Sequence, residues 1–186
     1  MHTKSSITNK YAEHGKAIAS VRAGNVLGGG DFSENRLIPD IIRSVINNNK
    51  LIIRSPQSTR PWQHVFDVIY GYMLLGKKLC ENPKEFSSPY NFSPSSKNCV
   101  TVEEILFKIN ELLRIDYEII PSEFYEANLL MLNADKAKKH LSWKPVYDIN
   151  HTLKESINWY NDFINKKDII QTSQDQYKKY MEFQNE

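Results

Sequence analysis

The stretch VRAGNVLGGGD at residues 21–31, followed by RLIPD at 36–40, decides the fold of this chain. Small and β-branched residues at 17–22 are typical of a parallel strand buried on both faces. Three consecutive glycines then predict a flexible loop, and Pro39 opens a helix near its first turn, where a missing N–H costs no hydrogen bond. In open α/β sheets ligands bind beyond the carboxyl ends of the strands. We therefore expect Asn25 and the glycine loop to face a ligand, with a loose turn as the alternative.

Composition limits the functions that the chain can have. Its 186 residues suffice for one domain with a core, and 40% hydrophobic with 25% charged residues is ordinary for a globular protein. The 24 basic and 22 acidic residues leave a net charge of +2, which favours neither nucleic acid nor an acidic membrane surface as a partner. Cys80 and Cys99 have no metal-binding spacing and indicate a reducing compartment. The composition thus predicts a cytoplasmic protein without a metal site.

Hydrophobic periodicity predicts alternating strands and helices in the rest of the chain. Short strands are expected at 51–53, 90–92 and 117–121, and a turn-rich loop at 55–61. Helices are expected after an Asp67 N-cap, after a Thr101–Glu104 capping box, and at 135–141 and 153–164. The pattern divides the chain into a lead-in at 1–15, an α/β body at 16–165 and a polar, mobile tail at 166–186.

Six blocks in this order resemble the C-terminal half of the extended short-chain dehydrogenase/reductase superfamily: RAGNVLGGGD, RLIPDII, LIIRSPQSTRPWQHVFDV, YNFSP, TVEEI and ADKAKKHLSWKP. Within it, the chain looks like the nucleotide-sugar 4,6-dehydratases. The triple glycine, RPWQHV and YEAN at 125–128 are most similar to the CDP-glucose 4,6-dehydratases. The resemblance runs from about Tyr11 to Ile164. It implies the last parallel strands of an NAD(P)-binding Rossmann-like sheet and a small α/β lobe that binds the nucleotide sugar.

The resemblance also implies which residues bind that nucleotide sugar. It places Arg60 on the diphosphate, for which a guanidinium is suited by bidentate hydrogen bonding. Asn25 matches an asparagine that also meets the phosphates, although a plain turn asparagine is the alternative. Leu37 and Ile38 match the base pocket, often through backbone groups, and Asn91 matches another nucleotide contact.

Three further residues match positions around the base and ribose. Arg36 and Arg54 correspond to residues near both groups, with an ordinary solvated arginine as the alternative for Arg54. Glu126 lies where relatives that act on dTDP-sugars carry an arginine-containing segment. This departure favours a different base, because a carboxylate could accept from the exocyclic amine of cytosine. A solvated loop residue is the alternative for Glu126.

The catalytic residues of the family have no counterpart in this sequence. In the family, NAD takes hydride from sugar C4, water leaves across C5–C6, and the hydride returns to C6. This cycle needs a Tyr-x-x-x-Lys pair and a glycine-rich turn for NAD. Lys16 follows Tyr11 one residue too late to share its helix face, and Gly28–Gly30 do not form Gly-x-Gly-x-x-Gly. The single histidine near the core pattern, His64, is expected to be structural. We expect no catalytic residue, and no tight NAD binding by this chain alone.

These observations favour the substrate-binding C-terminal portion of a CDP-glucose 4,6-dehydratase of deoxysugar (O-antigen) synthesis, inactive alone. The expected ligand is a nucleoside diphosphate sugar, CDP-glucose above others, with a missing N-terminal half or a second copy as the protein partner. Another dehydratase or epimerase of the superfamily is one alternative. A non-catalytic binding or partner protein is the other. Without neighbouring strands, the sheet edge is expected to favour association.

Overall fold

The computed structural model describes residues 16–120 and 130–185. The strands are β1 (Val21–Ala23), β2 (Asn25–Leu27), β3 (Leu51–Ile53), β4 (Thr59–His64), β5 (Tyr90–Phe92), β6 (Cys99–Thr101) and β7 (Tyr117–Ile119). The helices are α1 (Leu37–Ile46), α2 (Val65–Glu81), α3 (Pro83–Phe86), α4 (Val102–Leu112), α5 (Asp135–Leu141), α6 (Ile149–Ile164) and α7 (Ile169–Asn185), with a 3₁₀ turn at Ser96–Asn98. The pairs β1–β5, β2–β4 and β3–β7 are parallel, and β4–β6 is antiparallel. The predicted mixed α/β class is confirmed.

Gly24 lets the chain change sheets between β1 and β2. Its amide donates to the Phe92 carbonyl at 3.1 Å, which ends the pairing with β5. The next residue, Asn25, already pairs with Trp62 of β4. A Cβ at position 24 would lie 2.5 Å from the Pro61 carbonyl oxygen, so only glycine fits this approach. The switch places the end of β2 beside the end of β4.

Strand β4 also divides between two partners. Its first half, Thr59–Pro61, pairs with β6, and its second half, starting at Trp62, pairs with β2. Each half therefore has one neighbour, which is why Pro61, without an N–H, is tolerated in the strand. The prediction of a loop through residue 61 is wrong from Thr59 onward, because two prolines and several turn residues masked the strand.

Two apolar clusters form the core of the described residues. The larger joins β2, β3, α1, α4 and α6 and includes Trp62, which is 3% exposed. The smaller joins α2, β5 and α5 and includes Trp143, which is 1% exposed. Within the described ranges, no helix is long and apolar enough to cross a membrane.

Several predicted elements are confirmed, and the start of one helix is not. Thr101 and Glu104 form both hydrogen bonds of the capping box of α4, at 2.7 and 3.1 Å. Strand β3, strand β5 and helix α5 also occur where they were expected. Asp67 is not an N-cap. Helix α2 begins at Val65, its N-cap is His64, and Asp67 lies inside the first turn with no exposed surface.

The predicted mobile tail is wrong for residues 169–185, which form helix α7. This helix packs against α6, and its Tyr180 is fully buried. The Gln176 side chain donates to the Glu155 carbonyl at 2.8 Å, and Lys179 pairs with the Glu155 carboxylate at 2.5 Å. Polar contacts anchor the helix, and a hydrophobic pattern could not reveal them.

Strand β1 is less buried than its composition predicts. It is shorter than residues 17–22 suggest, and Val21 is 37% exposed. Among the residues that the structure describes, β1 has only β5 as a neighbour, so one of its edges is open. Burial on both faces is therefore wrong for this strand as it stands.

Candidate functional site

A cleft of about 610 Å³ runs along β2 and past its end at Gly28, beside Arg60 and Trp62 of β4. The glycine loop, the first turn of α1, β4 and Tyr160 of α6 complete its described walls. Five of the residues predicted from the sequence line it: Asn25, Arg36, Leu37, Ile38 and Arg60. The strand-end position is the one at which α/β sheets bind their ligands.

The amino end of helix α1 forms one wall of the cleft. Its N-cap, Arg36, makes no side-chain hydrogen bond to the first turn, and Pro39 at the third helical position has no N–H to offer. The amides of Leu37 and Ile38 are therefore left without a side-chain cap, next to the positive end of the helix dipole. Ile38 is 3% exposed and belongs to the core, so it can offer the cleft mainly backbone. The amides of this wall can donate hydrogen bonds to acceptors such as carbonyl or phosphate oxygens.

Arg60 enters the cleft from β4 as a restrained guanidinium. The residue is 9% exposed, and its Nη1 donates to the Thr59 carbonyl at 2.9 Å. Its neighbour Trp62 is fixed by a 2.9 Å bond from Nε1 to the Val100 carbonyl. A buried arginine beside an open cavity is suited to a phosphate group, because its planar guanidinium can donate two hydrogen bonds and little side-chain entropy is left to lose on binding.

Two acidic residues of the glycine loop, Asp31 and Glu34, also line the cleft. Burial opposes ionisation of Asp31, but hydrogen bonds from Ser33 and the nearby Arg36 and Arg43 lower the pKa of its carboxyl below the ordinary value. The Ser33 amide reaches this carboxylate at 2.9 Å. The charge of Asp31 is thus compensated locally.

The three glycines of the loop serve packing and backbone geometry. A Cβ on Gly28 would lie 2.5 Å from Val65 Cγ1, and one on Gly29 would lie 2.0 Å from Trp159 Cγ. Gly30 has φ of +84°, a conformation that other residues adopt with strain. Gly28 lines the cleft, but Gly29 is closed off by Trp159, which corrects the expectation of ligand contact there.

Three predicted site residues are not brought to the described walls of the cleft. Arg54 is exposed after β3. Asn91, on β5, donates from Nδ2 to the Asn133 carbonyl at 3.1 Å. Glu126 lies outside the described residues. The roles of these three residues stay predictions.

Sequence reasoning missed Tyr160 as a cleft residue. Its hydroxyl donates to the Asp31 carbonyl at 2.7 Å and accepts from the Asp31 amide at 3.1 Å. The two residues are 129 positions apart, and Tyr160 looks like any core position of an amphipathic helix. No local signal could have shown that it reaches the glycine loop.

A second polar group, around Asp67, is buried away from the cleft. Asp67 Oδ1 accepts from the Val146 amide at 2.9 Å and from the Tyr180 hydroxyl at 3.0 Å. Burial raises the pKa of Asp67 to about 6 and lowers that of His64 to about 3. His64 Nδ1 caps α2 by accepting from the Phe66 amide at 3.3 Å, as expected of a structural histidine. In the part of the chain that the structure covers, no cluster of His, Cys, Asp or Glu could hold a metal ion.

Comparison with known sequences gives the family. The model of the NAD dependent epimerase/dehydratase family matches residues 2–87. The chain is 39% identical to the CDP-glucose 4,6-dehydratase of Salmonella typhimurium over 174 residues, which is 92% of this chain and 48% of that protein. The chain thus spans about half the length of the curated relatives that it matches first.

Solved structures of the superfamily have the same fold. A dTDP-glucose 4,6-dehydratase from Bacillus anthracis in complex with NAD superimposes with a TM-score of 0.68 at 22% identity, covering 84% of this chain and 48% of that one. A UDP-glucose 4-epimerase from Stenotrophomonas maltophila with bound NAD gives 0.71 at 17% identity, covering 86% and 53%. These chains are Rossmann-like extended short-chain dehydrogenases/reductases. The family model over residues 2–87, the sequence identity and the shared fold together relate the chain described above to the NAD dependent epimerase/dehydratase family.

Proposed function

We propose that this chain is the substrate-binding portion of a CDP-glucose 4,6-dehydratase. The observation that carries the proposal is the cleft, which gathers Asn25, Arg60 and the uncapped first turn of α1 in one cavity. The similarity to the Salmonella dehydratase supports CDP-glucose as the ligand.

Within this proposal, each wall of the cleft has one task. Arg60 and Asn25 hold the diphosphate, because guanidinium and amide groups donate to phosphate oxygens. The backbone of Leu37 and Ile38 meets the base, and Arg36 covers the base or ribose from the rim. Arg54, Asn91 and Glu126 complete the nucleotide contacts.

The chemistry of dehydration needs groups that these residues do not provide. When bound, NAD accepts and returns the hydride of the internal redox cycle. Within the 186 residues there is no Tyr-x-x-x-Lys pair and no Gly-x-Gly-x-x-Gly turn to serve it. The role of this chain is therefore to bind and orient the nucleotide sugar, and turnover requires residues supplied by another half or another chain.

Nucleotide selectivity tests the proposal. We expect the chain to bind CDP-glucose about tenfold more tightly than dTDP-glucose or UDP-glucose, measured by titration of its amide resonances, since one extra base contact supplies about this factor. Glu126→Gln should reduce the preference, and Glu123→Gln in the same segment is the matched control. Equal affinity for the three nucleotide sugars would contradict the assignment of CDP.

Turnover provides a second test. The purified chain with NAD and CDP-glucose should release no 4-keto sugar, and addition of an NAD-binding half from a homologous dehydratase should restore the reaction. Conversion by the chain alone would overturn the view that it lacks the catalyst.

One alternative is an epimerase or dehydratase for another nucleotide, because the UDP-glucose 4-epimerase of Stenotrophomonas shares the fold with the higher of the two TM-scores above. Tighter binding of a UDP-sugar would favour it. A non-catalytic binding partner is the remaining alternative, favoured if the complementing half restores no activity.

A further inference from the structure

The glycine loop at residues 28–35 is fixed by a helix that follows it by more than a hundred residues. Tyr160 of α6 is fully buried, and its hydroxyl bonds both backbone groups of Asp31, at 3.1 Å to the amide and 2.7 Å to the carbonyl. Burial raises the pKa of this phenol to about 12, so it stays a neutral donor near neutral pH. One side chain thus takes the place of a backbone partner for the middle of the loop.

Aromatic rings on α6 hold the loop on either side of Asp31. Phe32 packs edge-on against Tyr160, with ring centroids 5.8 Å apart, and against Phe163 at 5.0 Å. Trp159 lies so close to Gly29 that a Cβ there would be 2.0 Å from its Cγ. The loop is therefore held on both sides of Asp31, the residue to which Tyr160 is hydrogen-bonded. We call the four rings of Phe32, Trp159, Tyr160 and Phe163 the clamp.

The C-terminal helix α7 fixes this clamp in turn. Trp159 Nε1 donates to Ser173 Oγ at 2.9 Å, and the Ser173 hydroxyl donates to the Ile169 carbonyl at 2.7 Å. One and two turns further along α7, Gln176 and Tyr180 make buried hydrogen bonds that keep the helix on the body of the protein. The position of the indole, and with it that of Gly29, depends on α7.

The clamp lies at the nucleotide site. Gly28, Asp31, Glu34 and Asn35 of the loop line the cleft, and so does Tyr160. Arg43 of α1 donates to the carbonyls of Phe32 and Ser33 at 2.8 and 3.1 Å, so the loop also connects to the helix whose first turn forms the next wall. A shift of the loop would change the width of the cleft.

We propose that Tyr160 is a positioning residue for the nucleotide site: through Ser173, Trp159 and Tyr160, helix α7 holds the glycine loop in the conformation that binds the ligand. The ligand part of this inference rests on the proposed function. Helix α7 acts here without contacting the nucleotide.

Tyr160→Phe removes the hydroxyl and keeps the ring. We expect exchange of the Asp31 amide hydrogen to become about five- to thirtyfold faster, which is the effect of losing one or two hydrogen bonds. The affinity for CDP, measured by titration of amide resonances of the 186-residue chain, should fall about fivefold, because an unfixed loop must be ordered on binding. Ser173→Ala should change both quantities in the same direction and by less.

Tyr177→Phe on α7 is the matched control. Tyr177 is 49% exposed, its hydroxyl makes no hydrogen bond among the described residues, and its ring contact to Phe66 survives in phenylalanine. This variant should leave exchange at Asp31 and affinity for CDP within twofold of the wild type. Melting temperatures of both variants show whether each is folded during the measurement.

Two results with the Tyr160→Phe variant would overturn the inference. If Tyr160→Phe leaves Asp31 exchange within twofold of the wild type, the hydroxyl does not hold the loop. If exchange accelerates and the affinity for CDP is unchanged, the loop is held but does not shape the site. A wild-type chain that binds none of CDP, UDP and dTDP would overturn the proposed function and the ligand part of this inference together, and Asp31 exchange would still decide whether Tyr160 holds the loop.

Discussion

The cleft and the group around Asp67 both collect polar side chains, but only the cleft leaves them facing a cavity. In the cleft, Arg60 and the first turn of α1 border a space of about 610 Å³. Around Asp67, the buried carboxylate accepts hydrogen bonds from the Tyr180 hydroxyl and the Val146 amide, which belong to distant parts of the chain. The first arrangement can hold a ligand, and the second holds the chain together.

The comparison shows why a perturbed pKa is a poor guide to function in this molecule. The large pKa shifts at Asp67 and His64 arise from burial alone or chiefly from burial, and neither residue lines the cleft. At the cleft, the acidic Asp31 is held ionised by its neighbours. Perturbed groups mark functional sites only when a cavity adjoins them.

Replacing Asp67 should have the largest effect on stability. Asp67→Ala leaves the buried Tyr180 hydroxyl and the Val146 amide without their acceptor, so we expect the free energy of unfolding at pH 5, where burial keeps the Asp67 carboxyl mostly neutral, to fall by about 3 kcal/mol. Urea denaturation measures this change. Asp175→Ala, an exposed aspartate on α7, is the control and should cost less than about 0.5 kcal/mol. Equal losses of unfolding free energy in the two variants would show that the hydrogen bonds of Asp67 do not stabilise the fold.

His64 should make stability depend on pH. The pKa of His64 in the folded protein, about 3, lies below the usual 6.5. The contribution of His64 to the free energy of unfolding is therefore complete above pH 6.5 and is lost as the pH falls toward 3. His64→Asn keeps an N-cap residue without a titrating ring. Between pH 6.5 and 4.5 this variant should lose about 2 kcal/mol less than the wild type in urea denaturation.

Asp67 changes the free energy of unfolding in the opposite direction over part of that pH range. Its folded pKa of about 6 exceeds the ordinary 3.8, so its contribution is present below pH 3.8 and is lost as the pH rises toward 6. The comparison of wild type with His64→Asn removes this shared contribution. Parallel pH profiles for the two proteins would contradict a buried neutral His64.

Arg60 should matter for binding more than for stability. Arg60→Lys keeps the charge and loses the planar fork, so we expect the affinity for CDP to fall about tenfold. Calorimetric titration measures the affinity. Arg114→Lys, an exposed arginine after α4 and away from the cleft, is the control and should have no effect. An unchanged affinity in Arg60→Lys would remove Arg60 from the diphosphate site.

Of the four residues for which we predict an effect, Arg36 should have the smallest. It is exposed at the rim and makes no capping bond, so Arg36→Ala should weaken CDP binding about threefold, mostly at low ionic strength. Titrations at two salt concentrations separate this contribution from that of Arg60. A loss of affinity for CDP larger than that of Arg60→Lys would indicate that the phosphates bind at the rim, next to Arg36.

The sequence predicts the lining of the cleft where the lining residues lie in segments with a clear local pattern. Asn25, Arg36 and Leu37 lie within one continuous stretch around the glycine loop, and Arg60 follows in a block that the family resemblance covers. The strand end, the loop and the helix start have local signatures, so their juxtaposition follows from the α/β topology.

The sequence does not predict the parts that depend on distant contacts. Strand β4 changes partner at Pro61, which local turn signals hide. Helix α7 is polar along most of its length and becomes ordered through Gln176 and Tyr180, which bond residues far away in the chain. Tyr160 belongs to both the core and the cleft, and only the tertiary structure distinguishes the two roles.

The bond between Tyr180 and Asp67 has a consequence for biosynthesis. The two residues are 113 positions apart, so a ribosome must add the whole segment between α2 and α7 before the phenol can reach the buried carboxyl. Until then Asp67 of α2 lacks one of its two hydrogen-bond donors, and the glycine loop lacks the support of α7. Because contacts of such long separation form late, the nascent chain gains the stability of this hydrogen bond and an ordered glycine loop together, only after helix α7 emerges.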